Sequence, residues 1–229
     1  MASTVSMSFY ATIRPMQNPA ILFDCDGTLS QIEGIVELAR WKGVEKAVAE
    51  LTEKAMGQIG MCPDIYRQRL ALVKPSQHDL IRLGQTYYQT RAEDIDETIN
   101  ILAAKNFSVY VVSAGMNPSV KIFAEQLNIP NQNVFAVDLS FDQDNQYLDF
   151  DHTSPLTQNS GKRIIVAEIK KRHSYLAYVG DGMNDLQVKD LVDTFIGYGG
   201  IFYRQNIADE CKYYIKEKSM KKILTCLCI

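Results

Sequence analysis

The sequence predicts an α/β fold: a doubly wound parallel sheet with a small helical cap inserted after its first strand. Three observations carry that expectation. Short apolar runs alternate with longer amphipathic stretches, the pattern of strands with helices on both faces. Each run is followed by Gly, Asp or Ser, as at strand ends. Finally, 89 positions separate Asp24 from Ser113, each at a strand end, where a parallel crossover needs only a dozen or more.

Taken in order, residues 1–19 contain no acid, one Arg and no apolar h-region, and are expected to be a plain N-terminal arm. Residues 20–23 read as the first strand. Val44, Ala47, Val48, Leu51 and Ala55 fall at helical spacing, and Ser76-x-x-Asp79 reads as a capping box, so 31–90 is expected to be a helical cap. The core then comprises 1–30 and 91–229. Ile95, Ile99 and Leu102 mark a helix, 108–112 the second strand, 120–127 a helix and 134–137 the third strand. Segment 138–151 reads as a hairpin turning at Asp144-Asn145, its five aspartates forming a solvated face rather than a metal site. Helices over 162–172, 184–191 and 220–227, with strands over 176–179 and 194–196, complete the pattern.

Composition narrows the classes of function. With 24 basic and 27 acidic residues the net charge is −3, which calls for neither nucleic acid nor an anionic membrane as partner. No apolar run is long enough to span a bilayer. Five cysteines without a C-x-x-C pair, beside three histidines, argue against zinc and for reduced thiols in the cytoplasm. Oligomeric state is not readable.

Four motifs sit at the predicted strand and helix ends, where open sheets bind ligands. Residues 21–28, Ile-Leu-Phe-Asp-Cys-Asp-Gly-Thr, deliver Asp24 and Asp26 to one side of an extended chain, with Cys25 turned into the core. Two like charges there require a cation or a shared proton. Residues 179–185, Val-Gly-Asp-Gly-Met-Asn-Asp, bring Asp181 and Asp185 to a second strand end, and such oxygen ligands suit magnesium. Ser113, Ala114 and Gly115 follow the strand over 108–112 with a hydroxyl and small side chains, a cradle for an oxyanion or an ordinary turn. Lys162 opens a helix, where the dipole disfavours a cation unless solvent or a bound anion faces it. Together they describe phosphoryl transfer: a carboxylate nucleophile, an acid/base, a metal, N–H donors and a cation.

In this order the four motifs resemble the haloacid dehalogenase-like phosphatases, over nearly the whole chain from about Phe9. Segments 33–35, 55–57, 69–72 and 195–200 look like those of the branch that hydrolyses phosphoserine. The resemblance implies that Asp24 attacks phosphorus and that Asp26 protonates the leaving oxygen, then activates water. It implies Mg²⁺ on the Asp24 carboxylate, the Asp26 carbonyl and Asp181, with Asp185 supporting. Ser113, the Ala114 and Gly115 amides and Lys162 would hold the phosphoryl oxygens. For the substrate, a small phosphoester, Glu33 would take the amino group and Arg69 the carboxylate. Met56 and Gly57 would line the pocket, and Asn184 and Arg204 would lie nearby. Spacing alone leaves Glu33 open as the end of a Ser30-x-x-Glu33 capping box and Arg69 open as a solvated residue.

Three positions depart from that pattern. Ala114 stands for Gly, Cys62 for a lid Phe, and Met116 for another Phe. All lie on the substrate side, so another small phosphorylated amine or alcohol, or transfer to an alcohol such as homoserine, stands as the alternative to phosphoserine hydrolysis.

Overall fold

The computed structural model describes residues 18–56 and 62–227, with side chains omitted for 53–56. Six strands form one parallel sheet: β1 (Pro19–Phe23), β2 (Ser108–Met116), β3 (Val134–Val137), β6 (Tyr175–Gly180), β7 (Thr194–Tyr198) and β8 (Tyr213–Ile215). Their order is β3-β2-β1-β6-β7-β8. Every residue of β1 is buried, as expected of a central strand covered on both faces and therefore apolar without alternation. The chain leaves β1 toward β2 and β3, then crosses back to add β6 on the other side. The carboxyl ends of β1 and β6 thus meet at the switch in strand order, where such sheets leave a crevice.

Between β1 and β2 lie α1 (Gly34–Trp41), α2 (Glu45–Met56), α3 (Pro63–Val73), α4 (Gln77–Gln89) and α5 (Ile95–Ala104). The Ser76/Asp79 capping box forms as expected, with Ser76 Oγ accepting from Asp79 N–H and Asp79 accepting from Ser76 N–H. Helix α4 packs along α6 (Ser119–Gln126) and touches α1, so it joins the inserted helices to the sheet layers. Lys42 and Asp79 pair at 2.6 Å, and the Arg82 guanidinium lies 3.9 Å from the centre of the Trp41 ring, fixing α1 on α4. The expected hairpin is β4 (Leu139–Phe141) with β5 (Tyr147–Phe150), and Asn145 takes the positive φ of its turn.

Two expectations are corrected, and one strand is added. The helix expected over 184–191 is only α8 (Met183–Leu186): beyond it the N–H groups of Val188, Lys189 and Leu191 bond to carbonyls three residues back, and Arg163 of α7 (Gly161–Lys170) takes the Gln187 carbonyl that the Leu191 N–H of a longer helix would use. The helix expected over 220–227 is a 3-10 winding, Met220–Cys226, whose buried Met220 and Ile223 suit a threefold repeat. Strand β8, three residues at the sheet edge, has no sequence signal strong enough to call; α9 (Gln205–Ala208) precedes it. No helix among the described residues is long and apolar enough to cross a membrane. The expected N-terminal arm falls mostly outside the described residues.

Candidate active site

The strand ends surround a cavity of about 570 Å³. Asp24 directly follows β1, its N–H donating to the Val179 carbonyl of β6, so the ladder fixes it beside Asp181. Gly27 turns the chain at φ +69°, and a Cβ on it would lie 2.8 Å from Asp181 Oδ2; only glycine lets the two acidic ends approach this closely. Asp24, Asp181 and Asp185 each offer a carboxylate oxygen, all within 4.8 Å of one another, and all three are buried.

Lys162, buried at the start of α7, lies 2.8 Å from Asp24 Oδ1 and 2.6 Å from Asp185 Oδ1. Two carboxylates thus offset its charge at the helix start, where little solvent reaches it. Cys25 N–H also donates to Asp24 Oδ1, at 2.8 Å, and among the described residues no donor reaches Asp24 Oδ2. Asp185 further accepts from Tyr178 and from Gly182 N–H. Asp181 accepts from Thr28 and from Arg204, whose guanidinium also donates to the Asp181 carbonyl. Arg204 is therefore seated on a carboxylate of the triad as well as lining the cavity.

Charge is unevenly distributed here. Burial pushes the Asp24 carboxyl well up, Asp185 adds to the rise, and Lys162 only partly offsets it. Burial and Asp185 likewise lift Asp181 to about 6. Lys162 loses hydration, which favours its neutral form, but Asp185 and Asp24 outweigh that and keep it an ammonium. Three buried carboxylates against one lysine and one arginine leave an excess of negative charge in an all-oxygen donor set. That combination fits a hard divalent cation.

Asp26 faces the same cavity. Its Oδ1 accepts from Gly34 N–H at 2.6 Å and Tyr87 OH at 2.7 Å; burial raises its carboxyl pKa while these two bonds oppose the rise. Ser113, Ala114 and Gly115 lie where the register between β2 and β3 shifts, an irregularity that turns backbone away from the ladder. Gly115 N–H donates to Ser113 Oγ at 2.9 Å, so that amide is already engaged. Glu33, the residue before α1, makes no side-chain cap, and Ser30 instead donates to carbonyls of Tyr87 and Thr90; the capping-box alternative is not formed. Glu33 lines the cavity with its pKa raised to about 8 by burial, then by Asp26 and Asp181. Arg69 of α3 also lines the cavity, buried rather than solvated, 5.6 Å from the Tyr66 ring centre. Asn184 and Met116 also line the cavity. Gly57 and the side chain of Met56 lie outside the described residues.

Sequence reasoning missed Tyr66, Tyr87, Tyr178 and Thr52. Tyr66 donates to the Ala114 carbonyl at 3.2 Å and so ties α3 to the end of β2. None carries a local signal, because tyrosines and threonines on buried helix and strand faces are ordinary core residues until their partners are known.

A family model of haloacid dehalogenase-like hydrolases matches residues 21–188. The phosphoserine phosphatase of Rattus norvegicus is 36% identical over 200 residues, covering 86% of this chain and 89% of that protein. The chloroplastic phosphoserine phosphatase of Arabidopsis thaliana is 34% identical, covering 86% and 68%. Among solved structures, a substrate-bound phosphoserine phosphatase complex superposes with a TM-score of 0.78 at 25% identity, covering 91% of this chain and 98% of that one.

Proposed function

Because the chain belongs to the haloacid dehalogenase-like hydrolases and, within them, to the phosphoserine phosphatases, we propose that this cavity hydrolyses O-phospho-L-serine to L-serine and phosphate. The protein is an enzyme, a phosphoric monoester hydrolase. The observation that supports the substrate is that Glu33 and Arg69 both line the cavity that holds Asp24 and Asp26, each within electrostatic reach of the other. A carboxylate suits an ammonium, and a planar guanidinium forks onto a carboxylate.

In the first half-reaction Asp24 Oδ2 forms a bond to phosphorus while the bond from phosphorus to the serine oxygen breaks. The electron pair leaves on that oxygen, which takes a proton from Asp26. Asp24 is then an aspartyl phosphate. In the second half-reaction water attacks phosphorus, gives its proton to Asp26, and the Asp24 oxygen leaves as a carboxylate. Lys162 and Ser113 stand beside the phosphoryl position, and Lys162 holds the nucleophile's other oxygen.

Asp24, Asp181 and the Asp26 carbonyl, with Asp185 supporting, would hold Mg²⁺. When bound, the ion supplies positive charge against which a phosphate dianion can approach two ionised carboxylates. Residues 31–90 act as the cap that excludes water during the first half-reaction. We read the location as cytoplasmic, the chloroplastic relative marking that compartments differ within the family.

The test is release of phosphate from a panel of small phosphoesters, with and without Mg²⁺ and with homoserine as a competing acceptor. The expected result is metal-dependent release of equal serine and phosphate from phosphoserine. Brisk turnover of another ester beside little phosphoserine turnover overturns the substrate, and phosphohomoserine formation overturns hydrolysis.

A further inference from the structure

The two oxygens of Asp26 have unequal surroundings. Oδ1 is held by Gly34 N–H at 2.6 Å and by Tyr87 OH at 2.7 Å, while no donor among the described residues reaches Oδ2. Oδ2 turns instead toward the end of β2: a Cβ built on Gly115 would lie 3.3 Å from it and 3.0 Å from Ser113 Oγ. Tyr87 is fully buried on α4, its ring stacked on Phe123 with centroids 5.6 Å apart. Space for its hydroxyl comes from Gly34, where any Cβ would lie 1.9 Å from Tyr87 Oη. A buried hydroxyl, a facing glycine and a backbone N–H thus converge on one carboxylate oxygen.

We infer that Tyr87 is a positioning residue that fixes the acid/base function of Asp26 to its Oδ2 oxygen. A protonated carboxyl carries its proton on one oxygen and accepts on the other. An oxygen that already accepts two short hydrogen bonds has no room for the proton, so the O–H sits on Oδ2 and points at the phosphoryl side of the cavity. The inference rests on the two half-reactions above. When the bond to the leaving oxygen breaks, the proton on Oδ2 goes to that oxygen and Asp26 becomes a carboxylate. Tyr87 keeps its own proton throughout.

Leaving-group dependence isolates this role. A serine alkoxide needs the proton, whereas 4-nitrophenolate departs without one. The value of kcat/KM reports steps only through departure of the leaving group, so the later hydrolysis step, where Asp26 serves both substrates, does not enter. Tyr87→Phe keeps the ring and removes one hydrogen bond to Asp26. We expect kcat/KM for phosphoserine to fall about tenfold, in line with the loss of a hydrogen bond to an ionisable group, and kcat/KM for 4-nitrophenyl phosphate to stay within twofold. If the wild type spares phosphoserine, the alkyl phosphate it turns over fastest takes its place, so failure of the substrate reading leaves this test intact. Phe123→Leu is the structural control: it loosens the same packing but keeps the hydroxyl, and should lower the melting temperature without changing the ratio of the two esters. Equal losses on both esters in Tyr87→Phe, no loss on either, or the same change of ratio in Phe123→Leu, overturns the inference.

Discussion

Asp24 is held by one oxygen. Lys162 and Cys25 N–H both fall on Oδ1, which fixes the plane of the carboxylate and leaves Oδ2, the attacking oxygen of the proposed mechanism, without a donor among the described residues. Asparagine at this position would keep the shape and most of the packing while removing the proposed nucleophile and one negative charge from a crowded centre. Asp24→Asn should therefore lower phosphate release at least about a thousandfold while leaving the melting temperature of the metal-free protein equal to or above wild type. Retention of more than a tenth of the activity would mean that another group attacks phosphorus. Residues of this kind are legible in a sequence because their signal is local: two acids in a strand-end motif, and a second acidic pair after another strand. Asp185, read as a support, lies beside Asp24 and Asp181, with its Oδ1 on Lys162. Tyr87 was illegible for the opposite reason: its partner is 61 positions away, and only the packed α4 brings the hydroxyl to Asp26.

At the scale of elements, the inserted helices bring Ile35, Thr52, Tyr66, Arg69 and Leu70 to the cavity, the residues that in the proposed function distinguish one phosphoester from another. Helix α3 carries Arg69 and Tyr66 on one buried face, and Tyr66 ties that face to Ala114 beside the phosphoryl cradle. A change to Arg69 should thus be felt through the substrate carboxylate rather than through phosphorus. Arg69→Ala is expected to reduce kcat/KM for phosphoserine about a hundredfold, as loss of a paired charge contact does, and to change that for 4-nitrophenyl phosphate by less than fivefold. Equal losses on the two esters would show that Arg69 only supports the fold of α3. The central strands were readable because burial on both faces makes them continuous apolar runs, and the Ser76/Asp79 cap because its geometry is local. The end of α8 was not, since Arg163 reaches across from α7 to take the Gln187 carbonyl that a longer helix would use. Cys62 shows the same limit: it precedes Pro63 at the start of α3, and nothing in the spacing reveals that Tyr66, one turn later, is the aromatic that meets the end of β2.

For the whole molecule, the acidic centre sets how stability depends on pH. Asp181 is lifted to about 6 from an ordinary 3.8 and Glu33 to about 8 from 4.5, with Asp24 raised as well. Between the ordinary carboxylate range and about pH 8 the folded metal-free protein therefore binds more protons than the unfolded chain. Stability must fall as pH rises through that window, because the slope follows the excess of protons on the unfolded state, here negative. Asp181 alone corresponds to roughly 3 kcal/mol, a sizeable share of the roughly 5–15 kcal/mol that holds an ordinary domain together. The carboxylates with lowered values, Asp79, Asp149, Asp151 and Asp190, act in the opposite sense but below pH 4, outside this window. A divalent cation offsets the same repulsion that protons relieve, so its benefit should grow with pH. In chelator, the melting temperature should drop by roughly 5–10 °C from pH 5.5 to pH 8. Saturating Mg²⁺ should restore most of that loss at pH 8 and add little at pH 5.5. Thermal melts at the two pH values, with and without the ion, check both signs at once. A melting temperature that is flat or rises with pH in chelator would mean that the buried acids are not strained by one another, and the charge argument for a cation at this centre would fall with it.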